Sequence, residues 1–373
     1  MSARGQTYNG RMIRAAGFVP AVVLLCAFSL GQSVPGSVEE SARSRAEPDL
    51  ALGRARLLIA QGKLSEAERA VRQYLNTHSN SADGHFLLGS IYFQEVHEEA
   101  FSQKRVEVED ANSGAGDLKL SDSKLTDSKF GDPKFKEEKE TKAKASLAEY
   151  TEGAKYRVPG AFELKVVAFD YVLLGDYSDA DKWLTRALQS APADGEIWYY
   201  LGRTKYNENR FEEAIDAFQR CLKLDPANLR AEYNLGLAYE GLGRTEDAAE
   251  AFRTAIGWQE NKLNQEAEPF IDLGSLLLDE NQAQQALHYL VQAVAIAPQE
   301  FRAHEQLGRA YERLGQMEKA QAEFEKAVAQ APQNPRLHYV LGQVYRKEGL
   351  AEKAKVEFDR SSELRRDSPS EGR

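Results

Sequence analysis

Residues 198–228 read WYYLGRTKYNENRFEEAIDAFQRCLKLDPAN, and their spacing sets the architecture. Trp198, Leu201 and Gly202 recur at helical intervals, so residues 196–207 form one helix with a single apolar stripe. Asn207-Glu208-Asn209 is polar and turn-like. From Phe211 to Leu224 a second stripe carries Ala214, Ile215, Phe218, Cys221 and Leu222. Gly202 and Ala214 are small enough to let the two helix backbones approach closely. Pro226 disfavours the α conformation at Asp225 and ends the second helix there. A helical hairpin of this size cannot bury both stripes by itself. It needs neighbours of the same kind.

The neighbours are in the sequence. Leu-Gly pairs occur at 201–202, 235–236, 273–274, 307–308 and 341–342, at spacings of 34, 38, 34 and 34 residues. Each is followed by a small residue (Ala214, Ala248, Ala286, Ala320, Ala354) and then a large one (Phe218, Phe252, Leu290, Phe324, Phe358). Pro226, Pro298 and Pro332 close three of the units, and Tyr239, Tyr311 and Tyr345 recur in later copies. The pattern resembles the tetratricopeptide repeat. That resemblance implies an all-α solenoid of helical hairpins wound as a right-handed superhelix.

Extending the register gives units at 161–194, 195–228, 229–262, 267–300, 301–334 and 335–368, with residues 263–266 as a small insertion. A degenerate unit at 48–81 keeps Leu58, Gly62, Ala67 and Val71. Next, HFLLGSIYF places Leu88, Gly89 and Tyr92 in register as a first helix, but no second helix follows. Its partner is read further on, in KASLAEYTEGAKYRVPG from Lys144. The expectation is a split repeat over 82–160, with helices at 82–97 and about 143–157, for about eight repeats across 48–368. Between the two halves lies a low-complexity insertion, 98–141. It contains DLKLSDSKLTDSKFGDPKF, whose Asp, Ser and Lys content and period of five predict disorder. Residues 32–47 read as a linker and 369–373 as a tail.

The chain has 373 residues and a formal net charge of −10, which argues against general nucleic-acid binding. Arg4, Arg11 and Arg14 precede an apolar run from Ala15 to Leu30, and Ser29-Leu30-Gly31 offers small residues for cleavage. Residues 1–31 are therefore expected to be a secretory signal peptide, with an uncleaved inner-membrane anchor as the alternative. Leu25 before Cys26 does not fit a lipoprotein signal. Cys221 would then be the only cysteine left after cleavage, so packing rather than disulfides must hold the fold, with Cys221 as a small buried hydrophobe.

No nucleophile elbow, phosphate loop, zinc motif or cysteine cluster is present, so no catalytic residue and no cofactor is assigned. Gly241-Leu-Gly243 follows a helix and reads as a hairpin turn. His85, His304 and His338 share the fourth position of their first helices. A two-histidine metal site there lacks a third ligand, and packing is the expected role.

The resemblance further implies that positions 2, 5, 9, 12 and 13 of each first helix line a groove. On this chain they give an aromatic, cationic zone of Phe162, Lys165, Phe169, Tyr199, Arg203, Tyr206, Arg230 and Tyr233. A second zone comprises Arg302, Arg309, Arg313, Arg336, Tyr339, Arg346 and Lys347, with Glu305 and Glu312 among them. Glu268, Asp272 and Asp279 form an acidic break between the zones. The carboxylate clamp of some family members is missing, since Tyr199, Arg203, Glu268 and Asp272 stand in its slots. The expected function is a non-catalytic protein-binding scaffold of the bacterial cell envelope, exported or periplasmic. Its partner would be a protein or peptide segment, with an acidic stretch on the second zone. The alternative is a polysaccharide- or peptidoglycan-associated module stacking sugars on Tyr199, Tyr206 and Tyr233.

Overall fold

A computed structural model describes residues 50–105, 133–260, 262 and 264–367. The expected signal peptide, the linker, the tail at 369–373 and the centre of the insertion, 106–132, lie outside them. Among the described residues there are sixteen helices and no strand. They pair in order: α1 (50–60) with α2 (Leu64–Leu75), α3 (Ala82–Arg105) with α4 (Pro133–Gly153), α5 (Ala161–Leu173) with α6 (Tyr177–Ser190), and α7 (Gly195–Asn207) with α8 (Phe211–Leu224). Then α9 (Leu229–Gly241) pairs with α10 (Thr245–Gly257), α11 (Glu268–Asp279) with α12 (Ala283–Ile296), α13 (Phe301–Arg313) with α14 (Met317–Gln330), and α15 (Pro335–Lys347) with α16 (Ala351–Asp367). Each second helix also packs on the first helix of the next pair, which makes the array a helical-hairpin solenoid.

Within a hairpin the contact that matters is glycine against a large apolar side chain. A Cβ added at Gly202 would lie 2.6 Å from the Phe218 ring, and one at Gly274 would lie 2.5 Å from Leu290. Phe218, Phe252, Leu290 and Phe324 are all fully buried. The turn that joins the helices repeats just as strictly. Position 15 of the repeat takes the left-handed conformation at Gly62, Gly175, Asn209, Gly243, Asn281, Gly315 and Gly349. The next hairpin starts from a capped helix. The Asp194 carboxylate accepts from the amides of Glu196 and Ile197, and Asn228 and Asn334 cap their helices in the same way.

The split hairpin obeys the first rule and breaks the second. Gly89 of α3 faces Tyr150 of α4 as Gly202 faces Phe218; a Cβ at Gly89 would come within 2.8 Å of that ring. Position 15 of this unit, however, is Val96, a buried β-branched residue inside the helix. A valine resists the left-handed turn, so no turn forms and α3 continues to Arg105. Two expectations are corrected here. Residues 98–105 and 133–141 are helical rather than part of the insertion, because α3 and α4 both extend beyond the repeat. The second helix ends at Gly153, not at about 157.

The small insertion before α11 wraps around one side chain. Gln259 is fully buried, its amide oxygen accepts from the backbone N–H of Glu266, and its carbonyl accepts from Gln265 at 3.0 Å.

Candidate protein-binding face

The first helices supply the residues predicted to line a groove, and their placements divide the prediction. Phe162 is 47 % exposed and Tyr339 42 %, while Arg302, Arg313, Arg336, Arg346 and Lys347 are exposed. Lys165, Arg203, Tyr206, Arg230, Tyr233 and Arg309 are half-buried. Phe169 and Tyr199 are buried, and their assignment as partner-contacting residues is corrected. Phe169 packs between Phe93 and Tyr200, with ring centroids 5.9 and 4.0 Å away. Tyr199 packs edge-on against Tyr200 and beside Phe218. The stacking of neighbouring hairpins draws these rings into the seam. The sugar platform expected of Tyr199, Tyr206 and Tyr233 is therefore not laid out as an open surface. Tyr199 is covered, and the Tyr233 hydroxyl donates to Asp272 at 2.5 Å.

The second zone is cationic, but most of its cations are engaged. Arg302 meets Asp272 at 2.6 Å, Arg309 meets Asp279 at 3.0 Å and Arg336 meets Glu305 at 2.7 Å, while Lys347 pairs with Glu312. In every case the acid stands on the preceding first helix. The acids do not form a separate break. Asp272 and Asp279, with Glu305 and Glu312, are the other halves of an ion-pair series running from α11 to α15, while Glu268 has no ion pair among the described residues. The two members of a pair lie 30 to 35 residues apart, one repeat period, and that spacing is the sequence signal for the arrangement. Arg313 instead donates to the Asn281 side chain at 2.9 Å, and Arg346 lies over the Phe358 ring at 5.7 Å. Among the described residues neither has an ion pair.

Electrostatics in the middle of the row follow from burial. Asp272 is 9 % exposed and accepts from both Tyr233 and Arg302. Burial, and next the Asp272 charge, hold the Tyr233 hydroxyl well above its usual range. Glu240 and Glu268 are pushed up by burial first and by neighbouring carboxylates second. Burial also raises Glu305, against the pull of Arg336.

The histidines do not face one another. His304 Nδ1 lies 2.6 Å from Glu323 of its own hairpin and its Nε2 3.1 Å from the Pro298 carbonyl; His338 repeats this with Glu357 and Pro332. Trp198, at the same register position, donates from Nε1 to the Pro192 carbonyl at 2.9 Å. The shared task is to tie a first helix to the loop before it. Among the described residues no group of three or more His, Cys, Asp or Glu side chains is placed to hold a metal ion. Cys221 is fully buried, and burial raises its thiol to about 12, far from a reactive thiolate.

A tetratricopeptide-repeat family model matches residues 52–96, 170–226, 201–261 and 271–335, and a second model of the same repeat matches 315–372. The chain belongs to the tetratricopeptide-repeat family. Among curated proteins, the PEX5-related protein of Mus musculus is 36 % identical over 82 residues, 22 % of this chain and 14 % of that protein. The human PEX5-related protein matches the same length at 36 %, 13 % of its own chain. This chain thus matches only about a seventh of those relatives. Several solved structures are similar. MamA from Desulfovibrio magneticus RS-1 is 25 % identical over 47 % of this chain and 97 % of its own, with a TM-score of 0.43. PilW, titled a widely conserved type IV pilus biogenesis factor, is 20 % identical over 56 % and 94 %, with a TM-score of 0.49. YrrB, titled a TPR protein with an unusual peptide-binding site, is 23 % identical over 50 % and 93 %, with a TM-score of 0.41. Tetratricopeptide repeats are protein-interaction modules, and the paired helices of the described residues are built from them apart from the extensions of α3 and α4. No helix among the described residues is long and apolar enough to cross a membrane.

Proposed function

We propose that the chain is a non-catalytic scaffold that holds an extended protein segment along its first helices, chiefly on α13 and α15. The observation that carries this reading is the exposed set on those two helices. Arg313 and Arg346 have no carboxylate partner among the described residues, Arg336 is more than half exposed above Glu305, and Tyr339 is 42 % exposed with Phe358 and Arg365 against its ring. Arginine and tyrosine are among the residues that most often anchor protein interfaces, tyrosine through a large rigid ring and arginine through its planar, multiply donating guanidinium. Two unpaired guanidinium groups beside partly paired ones favour an acidic segment, which would replace water without stranding a charge.

The layout of residues 1–31 supports export, and with it a role in the bacterial cell envelope. Both are part of the proposal. The deciding experiment is pulldown from the native cell with Arg313→Glu/Arg346→Glu and with Tyr339→Ala. Loss of the same partner in both, with helicity unchanged by circular dichroism, is the expected result. Full recovery in the charge-reversed variant rejects the assignment. Fractionation of the native cell, with and without residues 1–31, tests the location.

A further inference from the structure

The first helix of each repeat carries a stripe at positions 3, 7 and 10 that the preceding hairpin covers. In α7 it is Ile197, Leu201 and Thr204; in α13 it is Ala303, Leu307 and Ala310; all are buried. The side it faces is fixed at Gly84, position 3 of α3, where an added Cβ would meet Leu75 of α2 at 2.7 Å. In α1 the same positions hold Leu50, Arg54 and Leu57. Leu50 is 72 % exposed, Leu57 is 59 % exposed, and Arg54 is exposed between them.

The other end of the array is finished differently. Leu75 stands at position 28, and the unsplit repeats after it keep that position apolar with Leu188, Leu222, Ile256, Val294 and Val328. The last repeat places Ser362 there, exposed, on a helix rich in Lys, Arg and Glu. A polar outer face is what solubility demands of a terminal repeat. The α16 end meets that demand. The α1 end keeps two leucines of an inter-repeat seam and replaces the central leucine of the stripe by a cation.

We propose that the α1 face is a second interaction surface, which docks an amphipathic helix of another protein as if it were the second helix of a further hairpin. The charge selects the occupant. Arg54 has no ion pair among the described residues, and once covered it would be a buried charge unless the incoming helix supplied a carboxylate. The partner helix therefore carries an apolar stripe with an acidic residue at its centre. A second copy docked α1 to α1 would oppose two Arg54 side chains, and a copy docked by α16 would offer Ser362 where a leucine is needed. This surface is separate from the α13–α15 face, so either can fail without the other.

The test uses the full chain and a labelled, stapled helical peptide of 14 residues, the length of α8. The peptide carries leucines one and two turns apart and a central glutamate; a second version has lysine in its place. Fluorescence anisotropy should show saturable binding of the glutamate peptide, weakened about tenfold or more by Leu57→Glu. Arg54→Glu should reverse the preference toward the lysine peptide. Both substitutions are at exposed positions, so the fold stays available for comparison. No saturable binding, or equal affinity for the two peptides, overturns the proposal. So does binding that emerges only when residues 1–49 are removed, since the face would then belong to the chain's own segment. Concentration-dependent dimerisation abolished by Leu57→Glu would overturn it in favour of a second copy.

Discussion

Between α3 and α8, neighbouring hairpins meet through rings. Phe93 stacks on Phe169, Phe169 packs at a tilt against Tyr200, and the same seam encloses one carboxyl group, Asp170, that is 1 % exposed with no hydrogen-bond partner on either oxygen. That region has inter-hairpin ion pairs too, Lys165–Glu196 and Lys205–Asp181, but between α11 and α15 the charges form a continuous series along the first helices, from Asp272–Arg302 to Glu312–Lys347, above an apolar seam. The hairpins themselves are closed alike in both regions, a small residue against a large side chain: glycine in α3, α7, α9, α11, α13 and α15, and the fully buried Ala168 in α5. The repeat thus separates two jobs. Contacts inside a hairpin are uniform and carry the fold. Contacts between hairpins vary, and with them the surface each region offers. Buried rings leave little for a partner to touch, whereas half-exposed ion pairs leave cations that a partner's acids can reach.

The largest expected effect tests the uniform part. Phe218→Ala and Phe324→Ala should each cost about 3–5 kcal/mol, since each removes a fully buried ring from opposite a glycine. Urea unfolding of the two variants checks it; a much smaller loss at Phe324 would mean that the charged region does not depend on the same packing.

Asp170 comes next. It sits at position 10, where Ile91, Ala238, Ala310 and Val344 are apolar and buried. Ser146 lies beside it but donates to the Gly89 carbonyl at 3.0 Å. Burial raises the Asp170 carboxyl well above its usual 3.8, so the folded chain holds a proton that the unfolded chain releases. Stability therefore falls as pH climbs from 3.8 toward the raised value, and Asp170→Leu should remove that slope and stabilise the neutral-pH protein by about 1–3 kcal/mol. Melting curves across pH would contradict this if the variant kept the wild-type slope.

On the charged side, Asp272→Asn should cost about 1–3 kcal/mol, because Arg302 loses its counter-charge and Tyr233 its best acceptor. Added salt should narrow the gap between variant and wild type, as screening weakens the pair that the wild type still has. An effect independent of salt would show that packing, not charge, joins these helices.

The smallest effect is at His85. Burial is the largest single influence and lowers its pKa, but the hydrogen bonds to Glu149 and to the Ser79 carbonyl, with the Glu149 and Glu152 charges, together outweigh it, and the net shift is upward from 6.5. Its contribution is complete below 6.5 and disappears as pH rises through the raised value. His85→Gln should flatten that stretch of the stability profile by less than Asp170→Leu flattens the acidic stretch.

Sequence spacing alone established the hairpins, their register and the turn positions. It did so because each hairpin is local: Gly202 and Phe218 are sixteen residues apart, and the turn between them tolerates only residues that accept a left-handed conformation. The same spacing pairs Gly89 with Tyr150, which approach each other in the structure, although it misjudged how far α3 and α4 run. A register position says which side of a helix a residue occupies. It does not say how deeply the next hairpin will cover it. That depends on how two hairpins stack across a full repeat, and only the tertiary structure decided it: Phe169 and Tyr199 went under, Arg313 and Arg346 stayed out, Asp272, Asp279, Glu305 and Glu312 each found a cation one repeat on, and Leu50 and Leu57 were left uncovered on α1.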